Sequence, residues 1–473
     1  MMKKINFYPA IITILFLSQV MSAQNTGLKE SLTGSWLGRI NTGAIELRIV
    51  FNISTLENDS LVATLDSPDQ GAKGIKMGLV ILSGDSLKIE APLLRGELRG
   101  EIRNDTTIEA KWTQSGVTFP ITLTRLRKQF VSNRPQEPKP PFPYKSVDLT
   151  FPNHKFKINL AATLTIPDGK GPFPAAILIT GSGPQNRDEE IMGHKPFLVI
   201  ADYLTRHGIA VLRYDDRGVG KSQGTYTTAT SADLATDAEA AYEFLKDYPG
   251  INPSMIGLIG HSDGGLIASI VASENHHIAF IVSLAGPGVN GEKIILKQAA
   301  DIGRLMGESD AQIRENNEIN EKLYSILKTE KDNKTAEEKI LAEYRDLLSG
   351  QNMSQADIEN AVNKLKATFG AGAYTWFRYF IMTDPATYWD KVTCPVLALD
   401  GDKDLQVDAS ENLPAIKKAV ESGGNKDVKT ILLPGLNHLF QHCTTGLPSE
   451  YANIEETFSP EALKIIADWI LAL

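Results

Sequence analysis

A serine stands between two glycines in the stretch IGLIGHSDGG, residues 256–265. A serine hydroxyl is a weak nucleophile at neutral pH and needs an adjacent base before it can attack a carbonyl carbon. The pattern centred on Ser262 is typical of a sharp turn between a buried strand and a helix, which exposes the serine oxygen above a sheet. An apolar run, residues 255–259, precedes the turn and a helix-like run, residues 264–272, follows it. We therefore predict that Ser262 is a catalytic nucleophile.

A nucleophilic serine of this kind needs a histidine base, which should follow it along the chain. The stretch ILLPGLNH, residues 431–438, is an apolar strand-like run, a turn and then a histidine. His438 is the predicted base, because it would take the proton from Ser262 and return it to the leaving group. His442 is the alternative.

A carboxylate must also hold the imidazole in one tautomer. The stretch PVLALDGDKD, residues 395–404, places three aspartates at the end of an apolar run. Asp404 is the predicted partner of His438. Asp400, at the strand end, and Asp402, which has the character of a turn residue, are its competitors.

Backbone N–H groups should stabilise the oxyanion that forms during attack. The N–H of Asp263, directly after the nucleophile, is the predicted first donor. A second donor should come from the loop TGSGP, residues 180–184, after an earlier strand. Pro184 has no N–H, so Ser182 is the predicted donor and Gly183 the alternative.

The elements that would position these residues alternate between strand-like and helix-like runs. The strand-like runs are residues 158–166, 175–180, 209–214, 255–259, 279–284, 395–399 and 428–433, and the helix-like runs include 196–206, 231–246 and 460–473. Such alternation indicates βαβ units in a mostly parallel, doubly wound sheet with helices on both faces. The predicted fold class is α/β.

Residues 292–383 interrupt this alternation with helical patterns. Three segments resemble helix starts, SDAQ (309–312), TAEE (335–338) and SQAD (354–357), each followed by apolar residues at helical spacing. We predict a helical lid inserted into the α/β region.

The amino-terminal part has a different pattern, because apolar residues alternate with polar ones from residue 34 to 126. Turn signals separate short runs, which predicts a small antiparallel β-barrel or β-sandwich over residues 28–128. This region has no catalytic pattern, and we expect it to pack rather than to bind a ligand. A proline-dense stretch makes residues 129–144 a predicted linker.

The first residues have the pattern of a secretory signal. Lys3 and Lys4 precede an apolar run, residues 11–20, and Met21-Ser22-Ala23 ends in a small residue before Gln24. We predict that residues 1–23 are a signal peptide and that the mature chain is exported. An uncleaved membrane anchor is the alternative, although the apolar run is short for spanning a bilayer.

Composition excludes several classes of partner. The 473-residue chain has a net charge of −9 and no long basic run, which argues against nucleic acid and anionic membranes. Only Cys394 and Cys443 are present, so a disulfide framework is excluded. These two cysteines could pair, but free thiols are the simpler interpretation.

The stretch RYDDRGVGKS, residues 213–222, ends like a phosphate-binding loop but has Asp215 where that loop needs a glycine. Asp215 and Asp216 lack further ligands at metal-binding spacing. We expect Asp216 and Arg217 to pair and hold loops together, and we predict no metal and no cofactor. Residues 187, 188 and 194 could line a pocket but are expected to shape their loop first.

Five motifs together resemble one superfamily: GSGPQNRDEE (181–190), RYDDRGVGKS (213–222), GHSDGG (260–265), GDKD (401–404) and NHLFQ (437–441). Residues 145–473 resemble the α/β-hydrolases, and in particular exported bacterial esterases with a serine-aminopeptidase-like hydrolase domain. LDSPDQGAKG, residues 65–74, resembles the extra β-rich domain of that group. Asp263 departs from the group, which has glutamate there.

The resemblance and the serine motif together predict an esterase that acts on a small acyl ester through an acyl-enzyme intermediate. A serine aminopeptidase-like peptidase shares the same three catalytic residue types and is the first alternative. A non-catalytic acyl-binding or surface-interaction protein is the second. Acyl transfer to an alcohol or amine instead of water also stays open.

Overall fold

Two compact units make up the chain, Met1–Ser132 and Asn133–Leu473. The predicted signal peptide, residues 1–23, lies outside the residues that the structure describes, as do residues 129–132 of the predicted linker. The computed structural model describes residues 29, 31–41, 46–56, 60–70, 72–114, 116–126, 133–351, 353–368 and 373–473.

The described part of the first unit contains one antiparallel sheet of nine strands. Its order is β4-β3-β2-β1-β9-β8-β7-β6-β5, so the first and last strands of the domain pair at the centre of the sheet. The strands are β1 (Gly34–Asn41), β2 (Glu46–Thr55), β3 (Leu61–Ser67), β4 (Ala72–Lys76), β5 (Val80–Ser83), β6 (Ser86–Ala91), β7 (Gly96–Asn104), β8 (Thr107–Gln114) and β9 (Val117–Arg125).

Period-two alternation directs one side of this sheet towards a common core that includes Trp36, Phe51 and Trp112. The rings of Phe51 and Trp112 lie 5.8 Å apart, although β1 and β9 separate their strands within the sheet. Such a contact requires the sheet to curl around its core. The predicted small all-β domain is therefore confirmed, in the form of a half-barrel.

The second unit contains an eight-stranded sheet of order β10-β11-β13-β12-β14-β15-β16-β17. β10 and β11 run antiparallel to their neighbours, and the other pairs are parallel. The strands are β10 (Lys145–Asn153), β11 (Ile158–Ile166), β12 (Phe173–Ile179), β13 (Ala210–Tyr214), β14 (Ile251–His261), β15 (Ile281–Leu284), β16 (Val396–Gly401) and β17 (Val428–Leu433).

Helices cover both faces of this sheet, and each face has its own apolar core. This is the α/β-hydrolase arrangement, and the predicted fold class is confirmed. The described helices of the second unit are Pro196–Arg206, Ser231–Lys246, Asp263–Glu274, Gly291–Leu305, Asp310–Thr329, Asn333–Ser349, Gln355–Thr368, Ala373–Met382, Ala386–Trp389, Ala409–Ser422, Pro448–Tyr451 and Pro460–Leu471. Among them, none combines the length and apolar character that crossing a bilayer requires.

The insertion between β15 and β16 is helical, as predicted. Ser309 and Gln312 form a capping box at one helix start, and the Ser354 hydroxyl accepts the N–H of the residue three positions later at 3.2 Å. The expected start at Thr335 is wrong, because Asp332 caps that helix and accepts the Thr335 N–H at 2.8 Å. The helix therefore begins after Asp332, whose side chain accepts an N–H group that has no partner within the helix.

The proline-dense segment of the described chain hydrogen-bonds to the second unit. Arg134 donates from Nε to the carbonyl of Gly193 at 3.0 Å, and Gln136 donates to the carbonyl of Phe458 at 2.7 Å. These contacts make residues 133–144 part of the compact second unit.

Candidate active site

The turn at Ser262 joins the end of β14 to the helix Asp263–Glu274. Ser262 has φ of 53° and ψ of −123°, a region that side-chain-bearing residues rarely occupy and that costs about 1–3 kcal/mol. The Ser262 N–H donates to the carbonyl of Leu284 on the neighbouring strand at 2.8 Å. The surrounding sheet therefore holds the serine in a conformation that it would not adopt alone.

The two glycines of the motif allow the strand and the helix to pass closely. A Cβ on Gly260 would lie 2.0 Å from the carbonyl oxygen of Gly264, and a Cβ on Gly264 would lie 2.2 Å from that of Ile179. Backbone atoms cannot yield at such distances. The sequence pattern at this turn thus follows directly from the packing of its backbone.

His438 and Asp404 are joined by a hydrogen bond of 2.6 Å between Nδ1 and Oδ2. Both residues are 4% exposed. The other carboxylate oxygen of Asp404 accepts the N–H groups of Gln406 at 2.7 Å and Val407 at 2.9 Å. This arrangement fixes the carboxylate and makes Nδ1 the proton-bearing nitrogen that faces it, so Nε2 of His438 is the nitrogen left for other chemistry.

The competing candidates have other partners. Asp402 accepts the N–H of Gly435 at 2.6 Å, as a turn residue does. His442 is exposed and contacts Glu456 at 2.7 Å. Asp400 is fully buried, and burial beside the Asp404 carboxylate raises its pKa well above the ordinary value, which favours its neutral form.

The nucleophile turn and the loop of His438 are tied together by His261, the residue before Ser262. Nε2 of His261 donates to the carbonyl oxygen of His438 at 2.9 Å, and the two rings lie 4.8 Å apart. In the described chain no hydrogen bond joins the Ser262 hydroxyl directly to the His438 ring. Catalytic hydrogen bonds are often long in the absence of substrate.

The loop after β12 leaves one backbone donor open. Gly181 donates its N–H to Oε1 of Glu189 at 2.7 Å, and Gly183 donates to the hydroxyl of Tyr226 at 2.8 Å. Among the described residues, the Ser182 N–H has no hydrogen-bond acceptor. Of the two donors that the sequence left open, Gly183 is thus occupied and Ser182 is available.

Asp216 holds this loop at both ends. It accepts the hydroxyl of Thr180 and the N–H of Gln185, each at 2.9 Å, and burial raises its pKa well above the ordinary value. Arg217 instead bonds to Asp237 at 2.7 Å. The expected pair between Asp216 and Arg217 is therefore wrong, because Arg217 lies in the turn after β13 and its guanidinium bonds to the helix Ser231–Lys246.

The residues expected to shape the neighbouring loop have structural partners. Arg187 forms an ion pair with Asp215 at 2.8 Å, and Asp188 pairs with Arg213. His194 is buried and contacts Thr457 and a backbone carbonyl. The described residues contain no group of three or more His, Cys, Asp or Glu side chains arranged to hold a metal ion. Cys394 and Cys443 are both free.

The side chain of Asp263 links the nucleophile turn to the inserted helices. Its carboxylate accepts the Ser231 hydroxyl at 2.9 Å and the indole N–H of Trp376 at 2.9 Å. Trp376 lies on the helix Ala373–Met382 and stacks on Phe380. Burial raises the pKa of Asp263 to about 6, because these two hydrogen bonds only partly offset the loss of water. Sequence patterns carried no signal for this long-range contact.

Comparisons with known proteins identify the family of the chain. Residues 195–442, more than half of the chain, match the family model described as serine aminopeptidase, S33. Esterase EstD of Thermotoga maritima is 28% identical over 280 residues, which cover 59% of this chain and 58% of EstD. A polyketide transferase of Penicillium crustosum is 29% identical over 113 residues, 22% of this chain and 36% of that protein. The chain thus spans less than two thirds of the length of either curated relative.

Among solved structures, a hypothetical protein from Pseudomonas aeruginosa aligns with a TM-score of 0.45 and 15% identity, over 74% of this chain and 99% of that one. The family match, which covers most of the sheet and the inserted helices, defines the class. The chain belongs to the serine aminopeptidase S33 family.

The charge on Asp263 should weaken the fold at neutral pH. The pKa is higher in the folded chain than in the unfolded chain, so the folded state gains stability as the pH falls through about 6. Asp263→Asn keeps a donor and an acceptor but does not titrate. We expect the wild type to gain about 2 kcal/mol relative to this variant between pH 8 and pH 4. Urea unfolding of both proteins at the two pH values measures this difference, and an unchanged difference would contradict the assignment.

Proposed function

We propose that the protein is an esterase that cleaves carboxylic esters through an acyl-enzyme intermediate on Ser262. The observation that carries the proposal is the 2.6 Å bond between His438 and Asp404, on a loop that His261 fastens to the nucleophile turn. The likeness to EstD, named an esterase, supports the ester as substrate class.

The proposed reaction begins when the Ser262 oxygen attacks the acyl carbon and its proton passes to Nε2 of His438. Asp404 stabilises the imidazolium that forms. The bond between the acyl carbon and the alcohol oxygen then breaks, and the alcohol leaves with the proton from His438. Water repeats the sequence on the acyl-enzyme, which releases the carboxylic acid and restores the serine.

The proposed oxyanion donors are the backbone N–H groups of Asp263 and Ser182. Both are without an acceptor among the described residues, and the Asp263 group also opens a helix, whose N-terminus favours negative charge. Gly181 and Gly183 are held by other acceptors, which supports Ser182 over its neighbours. Losing one such donor typically costs about 3–4 kcal/mol of transition-state stabilisation.

A peptidase is the second candidate function, because the family description names a serine aminopeptidase. Such an enzyme needs an acidic side chain free to bind the substrate amine. Near the nucleophile, Asp263 is already bonded to Ser231 and Trp376, and Glu189 to His261. Because these two carboxyl groups already have hydrogen-bond partners, the site favours an ester substrate without a charged amine. We further propose that the inserted helices cover the site and select the substrate.

Replacing Ser262 tests the nucleophile. We expect Ser262→Ala to lower kcat for short p-nitrophenyl esters by about 10⁴-fold or more, because no other hydroxyl occupies the strained turn. Ser273→Ala, on the same helix, is the matched control and should stay close to wild type, because its hydroxyl only donates to a helix carbonyl. Faster cleavage of aminoacyl anilides than of esters would favour the peptidase, and serine-independent turnover would contradict the proposal.

The two neighbouring aspartates should differ sharply in their effects. Asp404→Asn should lower kcat by about 10⁴-fold, because an amide cannot hold the productive tautomer of His438. Asp400→Asn replaces a buried carboxyl group whose raised pKa favours the neutral form, so we expect activity within about threefold of wild type. The measurement is kcat of both variants and the wild type at pH 8. Equal losses of kcat in the two variants would contradict the assignment of Asp404 as the partner of His438.

We also propose that the chain is exported. Lys3 and Lys4, the apolar run at residues 11–20 and the small residue Ala23 support this proposal. Expression of the full chain in a bacterium should yield a periplasmic or secreted protein that begins at Gln24, as read by mass spectrometry. A protein that keeps residues 1–23 and stays with the membrane would instead support an uncleaved anchor.

A further inference from the structure

Glu189 and His261 form a buried pair at the point where three catalytic segments meet. Oε1 of Glu189 accepts the N–H of Gly181, in the loop that carries the proposed oxyanion donor, at 2.7 Å. The same oxygen faces Nδ1 of His261 at 2.9 Å. Glu189 is 1% exposed and His261 is 4% exposed, so water does not compete for these contacts.

The other nitrogen of His261 reaches the third segment. Nε2 lies 2.9 Å from the carbonyl oxygen of His438. A carbonyl oxygen can only accept, so Nε2 must carry a proton. His261 therefore connects the residue before the nucleophile to the main chain of the proposed base.

The contact between Nδ1 and Glu189 needs a second proton. Without one, a ring lone pair would face a carboxylate oxygen in a buried site, which is unfavourable. Burial lowers the pKa of His261, but the Glu189 carboxylate outweighs it and leaves the pKa raised. The pair thus holds one proton between Nδ1 of His261 and the carboxyl group of Glu189.

We propose that Glu189 and His261 are positioning residues for the ester hydrolysis proposed above. The two residues share one proton. Glu189 holds the oxyanion loop through Gly181, and His261 holds the proposed base through the carbonyl of His438, so that the oxyanion donor and the base are both positioned for reaction at Ser262. The inference rests on the proposed function. Neither residue contacts the substrate in this account.

Other charged groups near the pair are few. Asp404 lies beyond His438 and adds to the raised pKa of His261. Asp216 is near Glu189, and burial raises its pKa well above the ordinary value. Removing the charge of Glu189 should therefore lower the pKa of His261, because its chief stabilising partner is lost.

The test compares wild type with Glu189→Gln by p-nitrophenyl ester kinetics from pH 6 to pH 9. We expect kcat to fall by about tenfold or more at pH 8.5 with KM within about threefold, because positioning of the transition state is lost rather than binding. The wild-type to variant ratio should grow with pH, because His261 loses the proton on Nδ1 at a lower pH in the variant than in the wild type.

Asp237→Asn is the matched control, since it breaks another buried ion pair, with Arg217, away from the nucleophile. It should lower the melting temperature but give a wild-type to variant kcat ratio that does not change with pH. A flat ratio for Glu189→Gln, or one equal to that of the control, would overturn the proposal.

A measurement on the unmutated chain is independent of folding defects and of turnover. Nitrogen-15 NMR of the eight histidines from pH 6 to pH 9 should show one ring that keeps a proton on both nitrogens to a higher pH than an ordinary histidine does. If every ring loses its second proton in the ordinary range, the proton-sharing pair is wrong even where ester hydrolysis is found. If Ser262→Ala remains active, the proposed function fails even where the protonated ring is found.

Discussion

The close crossing of β14 and the helix Asp263–Glu274 is the constraint on which the site depends. Backbone atoms approach so tightly at Gly260 and Gly264 that a methyl group at either position would collide with a carbonyl oxygen. Ser262 adopts its strained conformation at this crossing, directly before the N-terminus of the helix. Burial of both elements in the apolar cores offsets the strain.

Acidic side chains that look alike in sequence behave differently because their surroundings differ. Asp404 accepts three hydrogen bonds, one of them from His438, and these suit a carboxylate. Asp400, only four positions earlier, is buried beside that charge, which raises its pKa well above the ordinary value. The pKa of Asp263 is raised to about 6, because two hydrogen bonds partly offset its burial. One of these bonds connects the nucleophile turn to Trp376 of the inserted helices. The donors and charges around each carboxyl group thus determine the direction of its pKa shift.

Sequence patterns predicted the strands and helices whose bounds depend on apolar periodicity within the segment itself. The strand Ile158–Ile166 and the helix Pro196–Arg206 have the bounds that apolar periodicity indicated. The link from Asp404 to His438 could be anticipated, because both residues follow strands that end at one edge of the sheet. Contacts between distant segments could not be anticipated, because a single sequence does not show which loops lie next to each other. The bond from Glu189 to His261 spans 72 positions and that from Asp263 to Trp376 spans 113.

Covalent labelling tests the central claim most directly, namely that the fold activates the hydroxyl of Ser262 alone. The full chain is treated with a fluorophosphonate, which reacts with serines that a neighbouring base deprotonates, and the adduct is located by peptide mass spectrometry. The account predicts one phosphonyl group per chain, on Ser262, and much slower labelling in Asp404→Asn. An adduct on another residue, or no adduct in a folded chain, would contradict it.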